Sequence, residues 1–191
     1  MNEVIATLGT SITAGIAPEY QWQRSLDVAL TERARRRSTV VNLGISGGNS
    51  YDGLAILPRV MALRPRAVTI EYTANDAYSP YDISIEQCEA NNLEIIGALR
   101  GQDARVGIYL LIMNPCVLGS AAAAARPQYQ AYNDVYRSIA AADSSAVLID
   151  TYSRWGELDP TDFEQGIHPV LGKTVESAIP IMREYLWPLL R

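Results

Sequence analysis

Short runs of apolar and β-branched residues recur along this chain, separated by longer stretches with helical spacing. Residues 4–8 (VIATL), 39–43 (TVVNL), 67–72 (AVTIEY), 106–112 (VGIYLLI) and 146–149 (AVLI) read as strands. Apolar positions recur with a helical period over residues 22 to about 35, 51–63, 85–99, 127–142 and 171–189. Pro58 is expected to interrupt or end the second of these helices, and Pro180 to kink the last or sit in its first turn. Strands that alternate with helices build βαβ units, hence a parallel sheet covered on both faces. In such sheets ligands bind beyond the carboxyl ends of the strands. Gly9-Thr10-Ser11, residues 44–50 and residues 73–76 follow the first three strands, so they converge on one edge. The alanine run at 121–125 either leads into the fourth helix or forms a mobile loop.

At 191 residues the chain reads as one domain spanning 1–191, long enough to bury a substantial core. A net charge of −5 argues against nucleic-acid binding, because a phosphate backbone needs a basic footprint. The one basic cluster, Arg33, Arg35, Arg36 and Arg37, is interleaved with Glu32 at a predicted helix end and reads as a solvated face. Cys88 and Cys116 lie in different predicted elements without CxxC or Cys/His spacing, so no zinc site is expected. They read as two buried thiols, with a disulfide as the alternative. No apolar run reaches the roughly 18 residues of a membrane span. Residues 1–3 lead directly into a strand without a signal-peptide pattern, so a cytoplasmic location is expected. A piece trimmed from an exported protein would read the same. No oligomeric state follows from the pattern.

Four segments carry candidate chemistry. Ser11 stands in Gly9-Thr10-Ser11-Ile12-Thr13-Ala14-Gly15, a strand-to-helix turn whose exposed hydroxyl suits a nucleophile and whose amide can donate to an oxyanion. The alternative is a plain helix cap. In Gly44-Ile45-Ser46-Gly47-Gly48-Asn49 the glycines permit close backbone approach, and the Gly47 amide offers a second donor. A tight turn explains the same residues. Asn75, in Thr73-Ala74-Asn75-Asp76, offers a side-chain NH₂ at a strand end, or an Asx turn. His168 is the chain's single histidine, and it precedes Pro169, which holds it extended. Serine chemistry by the usual route would require it as the base.

In order and spacing these four segments resemble the SGNH hydrolase family, also called GDSL-type esterases and lipases, over nearly the whole chain. Residues 41–76 look especially like its short thioesterase and lysophospholipase branch. The resemblance implies a flavodoxin-like, three-layer αβα sandwich with a five-stranded parallel sheet. It also implies Ser11 as nucleophile and His168 as base, without metal or other cofactor. The oxyanion donors it implies are the Ser11 amide, the Gly47 amide and the Asn75 side chain. Three positions depart from the family pattern. Thr10 replaces the Asp of Gly-Asp-Ser, and Thr73 and Ala74 replace glycines, adding bulk expected to narrow the acyl pocket. Gln165 stands where an Asp is expected, three residues before the histidine.

A triad acid fixes the imidazole tautomer and stabilises the imidazolium. The Gln165 amide oxygen or a backbone carbonyl of the same loop can do the first task. Glu164 or Asp162 could reach the ring through a shifted loop. The remaining reading is weak or absent catalysis. Thr10, Thr73 and Tyr78 are expected at the substrate rim, with Tyr20, Trp22, Tyr51, Tyr72 and Tyr81 in the same segments. Aromatic faces with hydroxyl tips suit a sugar ring, although such residues also pack between helices. No long apolar loop points to an acyl tunnel. The leading expectation is therefore a serine esterase for short acyl esters, such as O-acetyl groups on an acetylated saccharide. An acyl-thioesterase or lysophospholipase, an O-acyltransferase, and a weakly catalytic carbohydrate-binding domain are the alternatives.

Overall fold

A computed structural model describes residues 3–32 and 37–190. Five parallel strands form the central sheet: β1 (Glu3–Gly9), β2 (Ser38–Gly44), β3 (Ala67–Glu71), β4 (Gly107–Ile112) and β5 (Ala146–Asp150), in the order β2-β1-β3-β4-β5. This is the flavodoxin-like order, and the chain changes direction across the sheet between β1 and β3. Every residue of β3 is buried, as expected of a central strand covered on both faces. The apolar runs anticipated each strand to within two residues at either end.

Helices cover both faces. α1 (Ser11–Ala14) and α2 (Gln23–Thr31) follow β1, and α3 (Ser50–Ala55) with α4 (Leu57–Ala62) follows β2. The break between α3 and α4 comes at Ile56, and Pro58 sits in the first turn of α4, where its missing N–H costs nothing. The one-turn helix α5 (Thr73–Asp76) leads to α6 (Ile85–Gln102). In α6 the buried residues Cys88, Asn91, Asn92, Ile95, Ile96 and Leu99 keep the three-and-four spacing of a single face. Its N-terminus is capped by Ser84, whose hydroxyl accepts from the Gln87 amide. The alanine run forms α7 (Ala121–Ala124), followed by α8 (Tyr129–Ala142). A two-stranded antiparallel ladder, β6 (Phe163–Glu164) and β7 (His168–Pro169), precedes α9 (Leu171–Ser177) and α10 (Ile179–Leu186). Pro180 lies in the first turn of α10, so the expected closing helix is two. One layer contains α3, α4, α6 and α8, and the other pairs α2 with α10.

The expected helix end carrying Arg33, Arg35 and Arg36 lies outside the described residues. Cys88 and Cys116 are free thiols, which excludes the disulfide. No described helix is long and apolar enough to cross a membrane.

Glycine at the end of β1 is a packing requirement. A Cβ on Gly9 would lie 2.4 Å from Thr13 Oγ1 and 2.6 Å from the Glu71 carbonyl oxygen. Gly9→Ala is expected to cost about 1–3 kcal/mol through overpacking. Gly97→Ala, on the exposed face of α6 with nothing within 4 Å of the added carbon, is expected to stabilise by about 0.4–1 kcal/mol. Urea denaturation of both variants, with opposite shifts in midpoint, checks this reading.

Candidate active site

The turn after β1 is held from below and behind. Glu71, wholly buried at the end of β3, accepts on Oε2 from the Thr10 amide (3.1 Å), the Thr10 hydroxyl (2.9 Å) and the Thr13 hydroxyl (3.0 Å). Thr10 also caps α1, its Oγ1 accepting from the Ile12 amide at 3.1 Å. The short helix cannot satisfy its own last carbonyls. Those of Ile12, Thr13 and Ala14 accept instead from the Trp22 indole (3.0 Å), the Gln23 amide (2.7 Å) and the Asn42 amide (3.0 Å). With every neighbour fixed, the half-buried Ser11 is presented at the carboxyl edge of the sheet.

Its hydroxyl meets His168 Nε2 at 2.8 Å. The histidine sits on β7, paired across the ladder with Glu164. The turn between them passes through Gln165 (φ 54°) and Gly166 (φ 72°). The Asn114 side chain donates to the Ile167 carbonyl (2.8 Å), and the Val117 amide to that of Gly166 (2.8 Å). The loop after β4 thus holds the histidine loop in place.

The other two segments complete the edge. Gly47 has φ 73°, in the left-handed region that glycine enters without strain, and its carbonyl accepts from the Tyr81 hydroxyl at 2.8 Å. Asn75, nearly buried on α5, donates from Nδ2 to the Gly48 carbonyl at 2.8 Å. Asp76 Oδ1 accepts from the Ser50 amide at 2.9 Å, tying the β2 loop to α5 a second time. Among the described residues, the Ser11 and Gly47 amides donate to no protein acceptor. Ser11, Gly47, Asn75 and His168 therefore share one open cleft, with Ile16, Tyr78, Tyr81, Gln165 and Arg126 on its walls.

None of the three side chains considered as partners for the imidazole meets it. Asp162 faces Lys173 at 3.3 Å, and Gln165 is exposed in its left-handed turn. Nδ1 is buried and has no hydrogen-bond partner among the described residues. The Glu164 backbone lies opposite His168 in the ladder. Burial, and after it the Arg126 charge, holds the imidazole pKa below its ordinary value. The Glu164 backbone and charge oppose that shift.

Two expectations about the rim are corrected. Thr10 is buried because its hydroxyl serves Glu71, and Thr73 is buried because its hydroxyl donates to Asn133 Oδ1 on α8 at 2.7 Å. The bulk of Thr73 and Ala74 is packed inside the protein and does not narrow the cleft. Of the aromatics, Trp22 and Tyr72 are core residues, and Tyr20 and Tyr51 stand off the cleft. Tyr78 and Tyr81 line it in edge-to-face contact, centroids 5.0 Å apart. Arg126 was missed entirely. It is a lone charge between the alanine run and Pro127, and only its position before a helix start offered a signal.

The GDSL-like lipase/acylhydrolase family matches residues 7–170, a span that takes in all four segments. This chain belongs to that family. It is an ester-hydrolysing enzyme. Esterase TesA of Pseudomonas aeruginosa is 29% identical over 193 residues, covering 99% of this chain and 88% of that protein. The crystal structure of a lipase/acylhydrolase from Enterococcus faecalis superposes with a TM-score of 0.84 at 22% identity, covering 99% of this chain and 97% of the other. That of an acetylxylan esterase from Geobacillus stearothermophilus gives 0.74 at 21%, covering 99% and 96%. These two similarities concern the fold: the GDSL-like sandwich, with helices on both sides of a five-stranded sheet.

Glu71 gives the turn that carries Ser11 a measurable pH dependence. Burial raises its pKa from 4.5 to about 7, against the opposing pull of the Thr10 and Thr13 hydrogen bonds. The folded protein therefore holds this proton more tightly than the unfolded chain. The associated stability is fully present below pH 4.5 and is lost as pH rises through about 7. Its upper bound is about 3 kcal/mol. Denaturation midpoints between those pH values should fall in the native protein and change less in Glu71→Gln; equal slopes would contradict the assignment.

Proposed function

We propose that the enzyme is a serine esterase for short acyl esters, O-acetyl groups on a saccharide being the best-fitting class. The observation that carries the reading is the 2.8 Å contact between Ser11 Oγ and His168 Nε2 at the mouth of an open cleft. In this reading Nε2 takes the hydroxyl proton as Oγ adds to the ester carbonyl. The oxyanion forms within reach of the Ser11 and Gly47 amides and the second Nδ2 hydrogen of Asn75. The tetrahedral adduct then collapses. His168 returns the proton to the leaving alkoxide, an acyl-serine remains, and water attacks it by the same route in reverse. Among the described residues no side chain hydrogen-bonds Nδ1, so the centre works as a Ser-His dyad.

The preference for a short acyl group rests on the walls. Among the described residues Ile16 is the one aliphatic side chain lining the cleft; the others are Ser46, Tyr78, Tyr81, Arg126 and Gln165, with the reacting residues. Such walls offer little apolar area to a long chain, whereas tyrosine faces and polar tips suit a sugar. The acetylxylan esterase that shares the fold acts on a substrate of this class.

Rates with p-nitrophenyl acetate, butyrate and octanoate should fall in that order. Ser11→Ala and His168→Ala should each lower kcat with the acetate by at least about 10³-fold; native-like turnover by Ser11→Ala would eliminate the proposal. Gln165→Ala, Asp162→Asn and Glu164→Gln should each stay within about fivefold of native kcat, because none of these side chains hydrogen-bonds the ring. Since the imidazole is held below 6.5 and must be neutral to act as base, the acid limb of kcat/KM should have its midpoint below pH 6.5.

A further inference from the structure

Arg126 occupies a place in the cleft that the dyad alone does not explain. Nη2 donates to Asn75 Oδ1 at 3.0 Å. Nε donates to the Ala74 carbonyl at 2.5 Å and Nη1 to that of Ala122 at 3.2 Å. The guanidinium carbon lies 4.8 Å from the centre of the Tyr78 ring. One arginine thus links α7 to the backbone and side chain of α5. No carboxylate pairs with it among the described residues, so the full charge stays at the cleft.

We propose that Arg126 is a positioning residue for the oxyanion site: it sets the orientation of the Asn75 amide and strengthens it as a donor. A guanidinium has no acceptor, so only Oδ1 can face it. Nδ2 is thereby turned towards the Gly48 carbonyl, which takes one of its hydrogens at 2.8 Å and leaves the other for the oxyanion. A cation on the carbonyl end also polarises the amide and makes its N–H groups better donors.

The same charge bears on the base. The groups facing the His168 ring are Ser11, the backbone and carboxylate of Glu164, and Arg126. Among the described residues no carboxylate hydrogen-bonds Nδ1 to stabilise an imidazolium. A triad acid favours charge separation from the imidazolium side. In this chain Arg126 favours the oxyanion, and its charge at the same time disfavours the imidazolium. An arginine that anchored an anionic substrate would bind the ground state instead, and it would discriminate between substrates by their charge.

The proposal rests on the Ser11–His168 reading, and the test keeps the two apart. Two acetyl esters serve as substrates, methyl 4-acetoxybenzoate (neutral) and 4-acetoxybenzoate (anionic). Native enzyme, Ser11→Ala, Arg126→Gln, Arg126→Lys, Asn75→Ala and Arg126→Gln/Asn75→Ala are compared. Arg126→Gln is expected to lower kcat by about 10- to 100-fold on both esters with KM changed less than about threefold, short of the roughly 10²–10³ for losing an oxyanion donor. Arg126→Lys should recover part of that loss. In the Asn75→Ala background, Arg126→Gln should cost little more, because its effect passes through that amide. The acid limb of kcat/KM should move to higher pH in Arg126→Gln. Four results would overturn the proposal: native kinetics in both Arg126 variants, full additivity with Asn75→Ala, loss of binding confined to the anionic ester, or an unmoved acid limb. Full activity in Ser11→Ala would instead refute the underlying mechanism. Loss of folding in Arg126→Gln would pass the decision to Arg126→Lys, by the same readouts.

Discussion

The site depends on one buried carboxylate. Glu71 closes β3 and accepts three hydrogen bonds from the turn after β1, across the point where the sheet's connectivity reverses. Two adjacent parallel strands are thereby locked at their carboxyl ends as well as along their length. Gly9 has no side chain because the carboxylate and Thr13 occupy the space. Thr10 supplies a donor at the position where the family has an acid. Two carboxylates within hydrogen-bond distance in a buried site could not both ionise, so one would have to keep its proton. With threonine there, Glu71 has a donor in place of a rival.

Much of this was readable in advance because parallel strands are nearly continuous apolar runs. Residues 67–71 can be nothing but a covered strand, and the polar turns after three such runs must share an edge. Pro58 and Pro180 marked first turns for the same local reason. The β6–β7 ladder was not readable. Its strands have two residues each, too few to show a period, and the turn depends on the left-handed backbone at Gln165. Aromatic residues misled in a different way. Trp22 and Tyr72 have the same chemistry as Tyr78 and Tyr81, and only tertiary packing separates core from rim. Arg126 has no pattern of its own, since beyond the nearby Ala122 carbonyl its partners, the Ala74 carbonyl and the Asn75 amide, lie some fifty residues away.

Gln165 was the conspicuous departure in the sequence, and its side chain proves peripheral. The structural content of that position is its backbone, which turns the chain so that Glu164 and His168 face each other. The electrostatic content lies across the cleft at Arg126. In the proposed mechanism a carboxylate behind the imidazole would favour the positive partner of the ion pair, and a cation beside the oxyanion site favours the negative one; among the described residues this chain has the second. Reading a triad by counting its members would miss such a redistribution.

The contact between Ser11 and His168 joins positions 157 residues apart. The serine belongs to the first strand's turn, whereas the histidine emerges after all five strands and most of the helices. A growing polypeptide therefore carries its hydroxyl for most of synthesis without its imidazole. For an ester-hydrolysing enzyme, the two groups in contact are thus supplied by opposite ends of the chain and are brought together by the fold alone.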